Sequence, residues 1–223
     1  MTTPSLTNWH QDATGLLNSI SISGDLACGI INKAVYCSEE PDVWHIVNGN
    51  LDNIALNGTA ACGTFNSALF CTDNILKPDL VWDTLDTPLT SVSMTQNSIC
   101  GINSQHLVLC SDSNAAYFRK IEPTLKQISI SGKKACGITL NNSITCSDDF
   151  KKGKWTDSTM KNVDQIEITE TTKCIVKDDQ LYCTSWDSDE YTCLDKKVTT
   201  IGVCEDKIAA TTKETTVFHG SIN

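Results

Sequence analysis

The residues with the most chemistry to offer are twelve cysteines in a 223-residue chain. Ten of them open and close one recurring segment. The pairs are Cys28 and Cys37 in CGIINKAVYC, Cys62 and Cys71 in CGTFNSALFC, Cys100 and Cys110 in CGINSQHLVLC, Cys136 and Cys146 in CGITLNNSITC, and Cys174 and Cys183 in CIVKDDQLYC. Paired cysteines serve zinc, thiol exchange or a disulfide. Structural zinc sites join close pairs two to four residues apart, and redox sites read Cys-x-x-Cys. Neither spacing occurs here. Folding the first segment about Asn32-Lys33 sets Cys28 opposite Cys37 at a non-hydrogen-bonded pair, where Cα atoms lie about 4.5 Å apart, within disulfide reach. Asn at the first turn position suits the positive φ of a type I′ turn. Asn66-Ser67 and Asp178-Asp179 centre their segments identically, and the two longer copies centre on loops 104–106 and 140–142. Five hairpin disulfides are therefore expected, with an oxidising compartment. The remaining two, Cys193 and Cys204, are expected to bond each other.

The other candidate chemistry is recognition. Trp186 sits in the polar stretch TSWDSDEY, off the register of the other tryptophans, and is the best single aromatic contact, with Asp187 beside it. Asn32, Asn66, Asn103 and Asn50 stand at turns, where an amide is donor and acceptor at once and suits sugar hydroxyls; the competing role is turn geometry alone. Trp44, Trp82 and Trp155 can stack on sugar rings, but their regular recurrence points first to packing between repeats. Asp187, Asp189 and Glu190 offer oxygen ligands to calcium, but read more simply as a solvated loop, so no metal or cofactor is expected. His10, His45, His106 and His219 are scattered. There is no His-Glu-x-x-His, no Gly-x-Ser-x-Gly and no phosphate-cradling glycine loop, and no spacing singles out a catalytic carboxylate pair. The chain reads as a non-enzyme.

The elements that hold these residues form a repeat of 34 to 38 residues. Eight positions before each first cysteine stands an apolar residue: Ile20, Ile54, Val92, Ile128 and Ile166. Leu17, Leu51, Leu89, Leu125 and Val163 come three earlier, and Trp9, Trp44, Trp82, Phe118 and Trp155 earlier still. A sixth copy, from Ala209 to His219 and preceded by Val198 and Ile201, lacks both cysteines. Alternating stretches such as SISIS and QIEIT have the period of strands. Four short strands per copy predict one domain over 1–223, an all-β six-bladed β-propeller of antiparallel four-stranded blades. Its ring would be closed by an N-terminal strand around Trp9 that completes the last blade.

These motifs resemble the tectonin-repeat propellers, a lectin family. WHIVNGNLDNIAL, from Trp44 to Leu56, matches the family's Trp followed by Leu-x-x-Ile. Ile99-Cys100-Gly101-Ile102-Asn103-Ser104 matches its Val-Trp-Gly-Val-Asn, with Cys100 at the Trp, and Tyr36 and Tyr182 match its Ile-Tyr end. The resemblance implies multivalent, non-catalytic glycan recognition. The regulator-of-chromosome-condensation type of propeller, which also carries Cys-Gly near a hairpin, ranks second, and a protein-interaction or coat propeller is the alternative function. The net charge of −10 and the scattered lysines argue against nucleic acid. No apolar run approaches the roughly 20 residues of a membrane span. The cysteines, with sequons at Asn57 and Asn141, point to secretion, although MTTPSLTNWHQ has no leader pattern; either a leader has been removed or export is unconventional.

Overall fold

The computed structural model describes residues 6–14, 17–40, 43–112, 117–212 and 216–222. The first strand is β1 (Leu6–Thr14). Blade one follows as β2 (Ser19–Ser23), β3 (Leu26–Ile31), β4 (Ala34–Glu40) and β5 (Val43–Asn50). Blade two is β6 (Asn53–Asn57), β7 (Ala60–Phe65), β8 (Ala68–Thr72) and β9 (Asp83–Leu85). Blade three is β10 (Ser91–Thr95), β11 (Ser98–Ile102), β12 (Val108–Asp112) and β13 (Arg119–Ile121). Blade four is β14 (Leu125–Ser131), β15 (Lys134–Thr139), β16 (Ser143–Ser147) and β17 (Thr156–Lys161). Blade five is β18 (Gln165–Ile168), β19 (Thr172–Lys177), β20 (Gln180–Ser185) and β21 (Thr192–Lys196). The last strands are β22 (Val198–Cys204), β23 (Lys207–Thr212) and β24 (Thr216–Ile222).

Each blade is a four-stranded antiparallel meander in chain order. The first strands lie side by side around the molecule, β2 beside β6, then β10, β14, β18 and β22, which returns to β2. The architecture is an all-β propeller. The count of six blades needs correction: there are five, each built from consecutive strands and pinned by a disulfide. The remaining sheet is composite. Its order is β22-β23-β24-β1, drawn from both ends of the described chain, and Ala209 stands opposite His219 where each blade has its cysteine pair. The side chain of Trp9 lies outside the described residues.

The hairpin segments pair Cys28 with Cys37, Cys62 with Cys71, Cys100 with Cys110, Cys136 with Cys146 and Cys174 with Cys183, each at a Cα separation of 4.1 Å. Their two-residue turns have positive φ at both positions: Asn32 and Lys33, Asn66 and Ser67, Asp178 and Asp179. The type I′ turn requires this. In the longer loop of blade four, Asn142 N–H donates to Thr139 O at 3.0 Å with φ of 59°. The Cys193–Cys204 bridge does not form: neither residue is in a disulfide. Cys193 is on the outermost strand of its blade and Cys204 at the end of the innermost strand of the next sheet, so the radial strand order separates them.

The repeated leucine and the glycine of Cys-Gly are one device. A Cβ on Gly29 would lie 2.7 Å from Leu17 Cδ1, and one on Gly63 would lie 2.5 Å from Leu51 Cδ1. Leu89 covers Gly101 and Leu125 covers Gly137 in the same way. Where the glycine is replaced, by Ile175 and Ala210, the leucine shrinks to Val163 and Val198, as close packing of a fixed volume requires. The leucine backbone is latched too. Leu51, Leu89, Leu125 and Val163 N–H groups donate to the carbonyls of Lys33, Ser67, His106 and Asn142, at 2.8 to 3.1 Å, tying each hairpin turn to the entry of the next blade.

The polar positions of the alternating inner strands splice one blade to the next. Ser21 Oγ accepts from Leu56 N–H at 3.0 Å, Ser93 Oγ from Ile130 N–H at 3.1 Å and Ser129 Oγ from Ile168 N–H at 3.1 Å. Gln127 pairs with both backbone groups of Ile166, and Gln165 with both of Ile201. These bonds satisfy inward-facing backbone groups that would otherwise be costly to bury.

Candidate functional site

The turn asparagines mostly serve the backbone. Asn32 and Asn66 supply left-handed φ of 50° each, and Asn66 N–H donates to Asp52 Oδ2 at 3.0 Å. Asn103 Oδ1 accepts from the N–H groups of Gln105 and Leu107, both at 3.0 Å, which shapes its own loop. Asn50 is exposed at the end of β5. Three of the repeated tryptophans belong to packing. Trp44 and Trp155 are half-buried against hydrophobic clusters of blades one and four. Trp82 Nε1 donates to Asn48 O at 2.7 Å, and its ring leaves no room for a Cβ on Gly49; it buttresses the preceding blade.

Trp186 is different: it is off the register of the other tryptophans, yet it holds a station that recurs in two other blades. Its N–H donates to Thr171 O at 2.7 Å, just as Ile75 N–H donates to Thr59 O and Phe150 N–H to Lys133 O. All three follow the third strand of a blade and bond back to the turn between its first two strands. Ile75 and Phe150 are each only 1% exposed. Trp186 holds the same station half-buried. It lies at the far end of β20 from the Asp178-Asp179 turn, so the tryptophan and the hairpin asparagines occupy opposite faces of the ring and cannot share one site.

Trp186 walls a groove of about 490 Å³ between blades four and five. Its Nε1 donates to Asp148 Oδ1 at 2.7 Å across the blade junction. The Lys134 ammonium lies 4.4 Å and that of Lys173 5.8 Å from its ring centroid, both within cation–π range. Lys173 is 6% exposed and pairs with Asp189 Oδ1 at 3.1 Å; Ser158 Oγ donates to the same oxygen at 3.3 Å. Asp149 pairs with Lys152 at 3.2 Å, and the hydrogen bond from Lys152 holds its carboxyl below the usual range. Asp157, Asp187 and Lys154 complete the charged lining and are exposed. Ser147, 3% exposed, borders the groove, and its buried Oγ has no hydrogen-bond partner. Behind Trp186, the Tyr191 hydroxyl is likewise buried without a partner, and burial followed by Asp189 raises its pKa. Among the described residues no cluster of His, Cys, Asp and Glu could hold a metal ion. Nor, among the described residues, is any helix long and apolar enough to cross a membrane.

Sequence reading singled out Trp186 and Asp187 but missed Lys173, Ser147, Asp148 and Asp157. One signal was available. The residue before the first cysteine is Ala27, Ala61, Ile99 and Ala135 in the other blades, so a lysine at that buried station stands out.

No family model matches the chain and no curated protein matches it. Its fold does match solved structures. Human WBSCR16 aligns over 94% of this chain and 77% of its own, with a TM-score of 0.63 and 9% identity. Prp20p of Saccharomyces cerevisiae, described with its binding to Gsp1p and histones, aligns over 90% and 71%, with a TM-score of 0.63 and 10% identity. The computationally designed Ika8 protein aligns over 92% and 70%, with a TM-score of 0.58 and 7% identity. The chain is thus similar in fold to propellers of the RCC1 type, the second of the two resemblances, at identities that speak for fold alone.

Proposed function

We propose that this chain is a non-catalytic carbohydrate-binding propeller, of the tectonin kind in its repeats, that takes its glycan in the groove between blades four and five. The observation that carries the reading is Trp186, half-exposed at a station where blades two and four bury Ile75 and Phe150. Around it, Asp, Lys and Ser side chains give the mixed donors and acceptors that sugar hydroxyls need. One groove then replaces the several like sites that repetition suggested, because Trp44, Trp82 and Trp155 are engaged in packing. Five disulfides support an oxidising, extracellular setting. The test is a glycan array with the native chain and Trp186→Ala. Binding that the substitution abolishes is expected; an array at background for the native chain sinks the reading.

A second reading is a protein-interaction propeller. It is favoured by apolar side chains beside a smaller groove between blades one and two, where Ile46 is 68% and Val81 71% exposed. Prp20p, similar in fold, is described as binding proteins. Glycan binding that survives Trp186→Ala but falls on Ile46→Asp would move the site to this groove.

A further inference from the structure

We infer that Asn141 is an acceptor for an N-linked glycan and that Asn57, the other asparagine in an Asn-x-Ser/Thr triplet, is not. Both triplets, Asn57-Gly58-Thr59 and Asn141-Asn142-Ser143, offer a side-chain amide with a hydroxyl two residues on, the pattern that oligosaccharide transfer requires. The fold treats them differently. Asn141 is exposed at the apex of the blade-four hairpin, midway between Cys136 and Cys146. No group among the described residues hydrogen-bonds its amide. Its neighbours hold the turn without it. Lys126 Nζ donates to Asn142 Oδ1 at 2.6 Å, Asn142 N–H to Thr139 O at 3.0 Å, and Ser143 N–H to Thr139 Oγ1 at 3.2 Å. The hairpin therefore keeps its shape whatever the Asn141 amide carries.

Asn57 ends β6, an innermost strand, and is half-buried. Ser23 holds the same place on β2 and accepts from Gly58 N–H of the next blade at 2.7 Å, so this position faces a neighbouring turn. A branched oligosaccharide on Asn57 would crowd the packed hub of the ring. Beside Asn141 the surface instead calls for cover: Leu140 is 47% exposed, apolar area that the first sugars would shield. The hairpin face lies opposite Trp186, so a glycan there leaves the groove open, and the inference is independent of what that groove binds. In the transfer, the Asn141 amide nitrogen bonds to the anomeric carbon of an oligosaccharide carried on a polyprenyl diphosphate. The bond from that carbon to the diphosphate oxygen breaks, the diphosphate leaves, and the nitrogen gives one proton to a base of the transferase. Nothing is oxidised or reduced. The export compartment that closes disulfides is where such a donor is met.

The test is expression of the full chain behind a cleavable leader in glycosylating cells. Secreted and cell-retained chains are both mapped by peptide mass spectrometry after enzymatic release of N-glycans, which leaves an aspartate wherever an asparagine carried one. Asn141 should be occupied in most chains and Asn57 in none. Asn141→Gln should remove the whole glycan mass. Ser143→Ala should remove it too, since it keeps the asparagine and takes only the hydroxyl, whereas Ser143→Thr should retain it. Asn57→Gln should leave the glycan mass unchanged. An unoccupied Asn141, a glycan that survives Asn141→Gln or Ser143→Ala, or an occupied Asn57 overturns the inference.

Discussion

Blade five and blade two share one plan, yet differ at the stations that matter. Both carry the same staple, its second cysteine nine positions after its first, and both begin from a spliced inner strand. Blade two has Ala55, Ala61, Gly63 and Ile75 where blade five has Glu167, Lys173, Ile175 and Trp186. The first set is small or buried and apolar. The second puts a carboxyl, an ammonium and an indole at the same backbone positions. The propeller frame thus tolerates a chemically distinct blade provided volume is conserved locally, and the distinct blade is the one that borders the groove.

The largest expected effect comes from exchanging the two blades' packing. Gly63→Ile would drive a side chain into Leu51 and Asn53 O, at 2.5 and 2.6 Å from the first added carbon. It should cost on the order of 3 kcal/mol or more in urea melts. Adding Leu51→Val should recover a measurable part, because Val163 accompanies Ile175 in blade five; no recovery would show that the pairing is incidental. Next comes the staple. Cys62→Ala with Cys71→Ala, or Cys174→Ala with Cys183→Ala, should each cost about 2.5–3 kcal/mol, since their loops are equal in length. Unequal losses would show that blade five is strained or loosened by its substitutions.

Glu167 gives a smaller, pH-dependent effect. Burial pushes its carboxyl up to about 7 from 4.5, against the opposing hydrogen bonds of Ser129 and Gln165. A raised carboxyl favours the protonated folded state. The native chain should therefore lose stability as pH rises from about 4.5 through 7, by on the order of 2 kcal/mol. Glu167→Gln should flatten that slope and be the more stable chain above pH 7. A slope unchanged by the substitution would remove Glu167 as its source. The smallest effect belongs to Lys173→Ala, which restores the residue of blades one, two and four. Asp189 is solvated enough to stand alone, so stability should shift by no more than about 1 kcal/mol. Near-UV circular dichroism of Trp186 should nevertheless change as its cation leaves.

Much of this was legible in the sequence. The cysteine spacing carried the hairpins, because a two-residue turn leaves only one partner opposite each cysteine. Period-2 alternation carried the strands. Whole-chain properties were less legible. The pairing of the chain ends was legible from a last repeat one strand short and an N-terminal strand to spare, and β1 does pair with β24; the count of six blades was not, since only five keep the stapled plan. Cys193 with Cys204 failed because even counting ignores radial distance. Trp186 was singled out for lying off the repeat, yet its latch to Thr171 gives it the station of Ile75 and Phe150, a backbone bond that no side-chain pattern announces. Lys173 needed neighbours from two blades to acquire meaning.

The staples also bear on how the chain matures. Each cysteine that opens a pair is followed next, in chain order, by its own partner, nine or ten residues on. During vectorial synthesis the correct thiol is thus the first to arrive, and each small loop can be sealed before a competing one emerges. Oxidation can proceed hairpin by hairpin with no long-range reshuffling, so assembly of the ring begins from units whose strand register is already covalently decided.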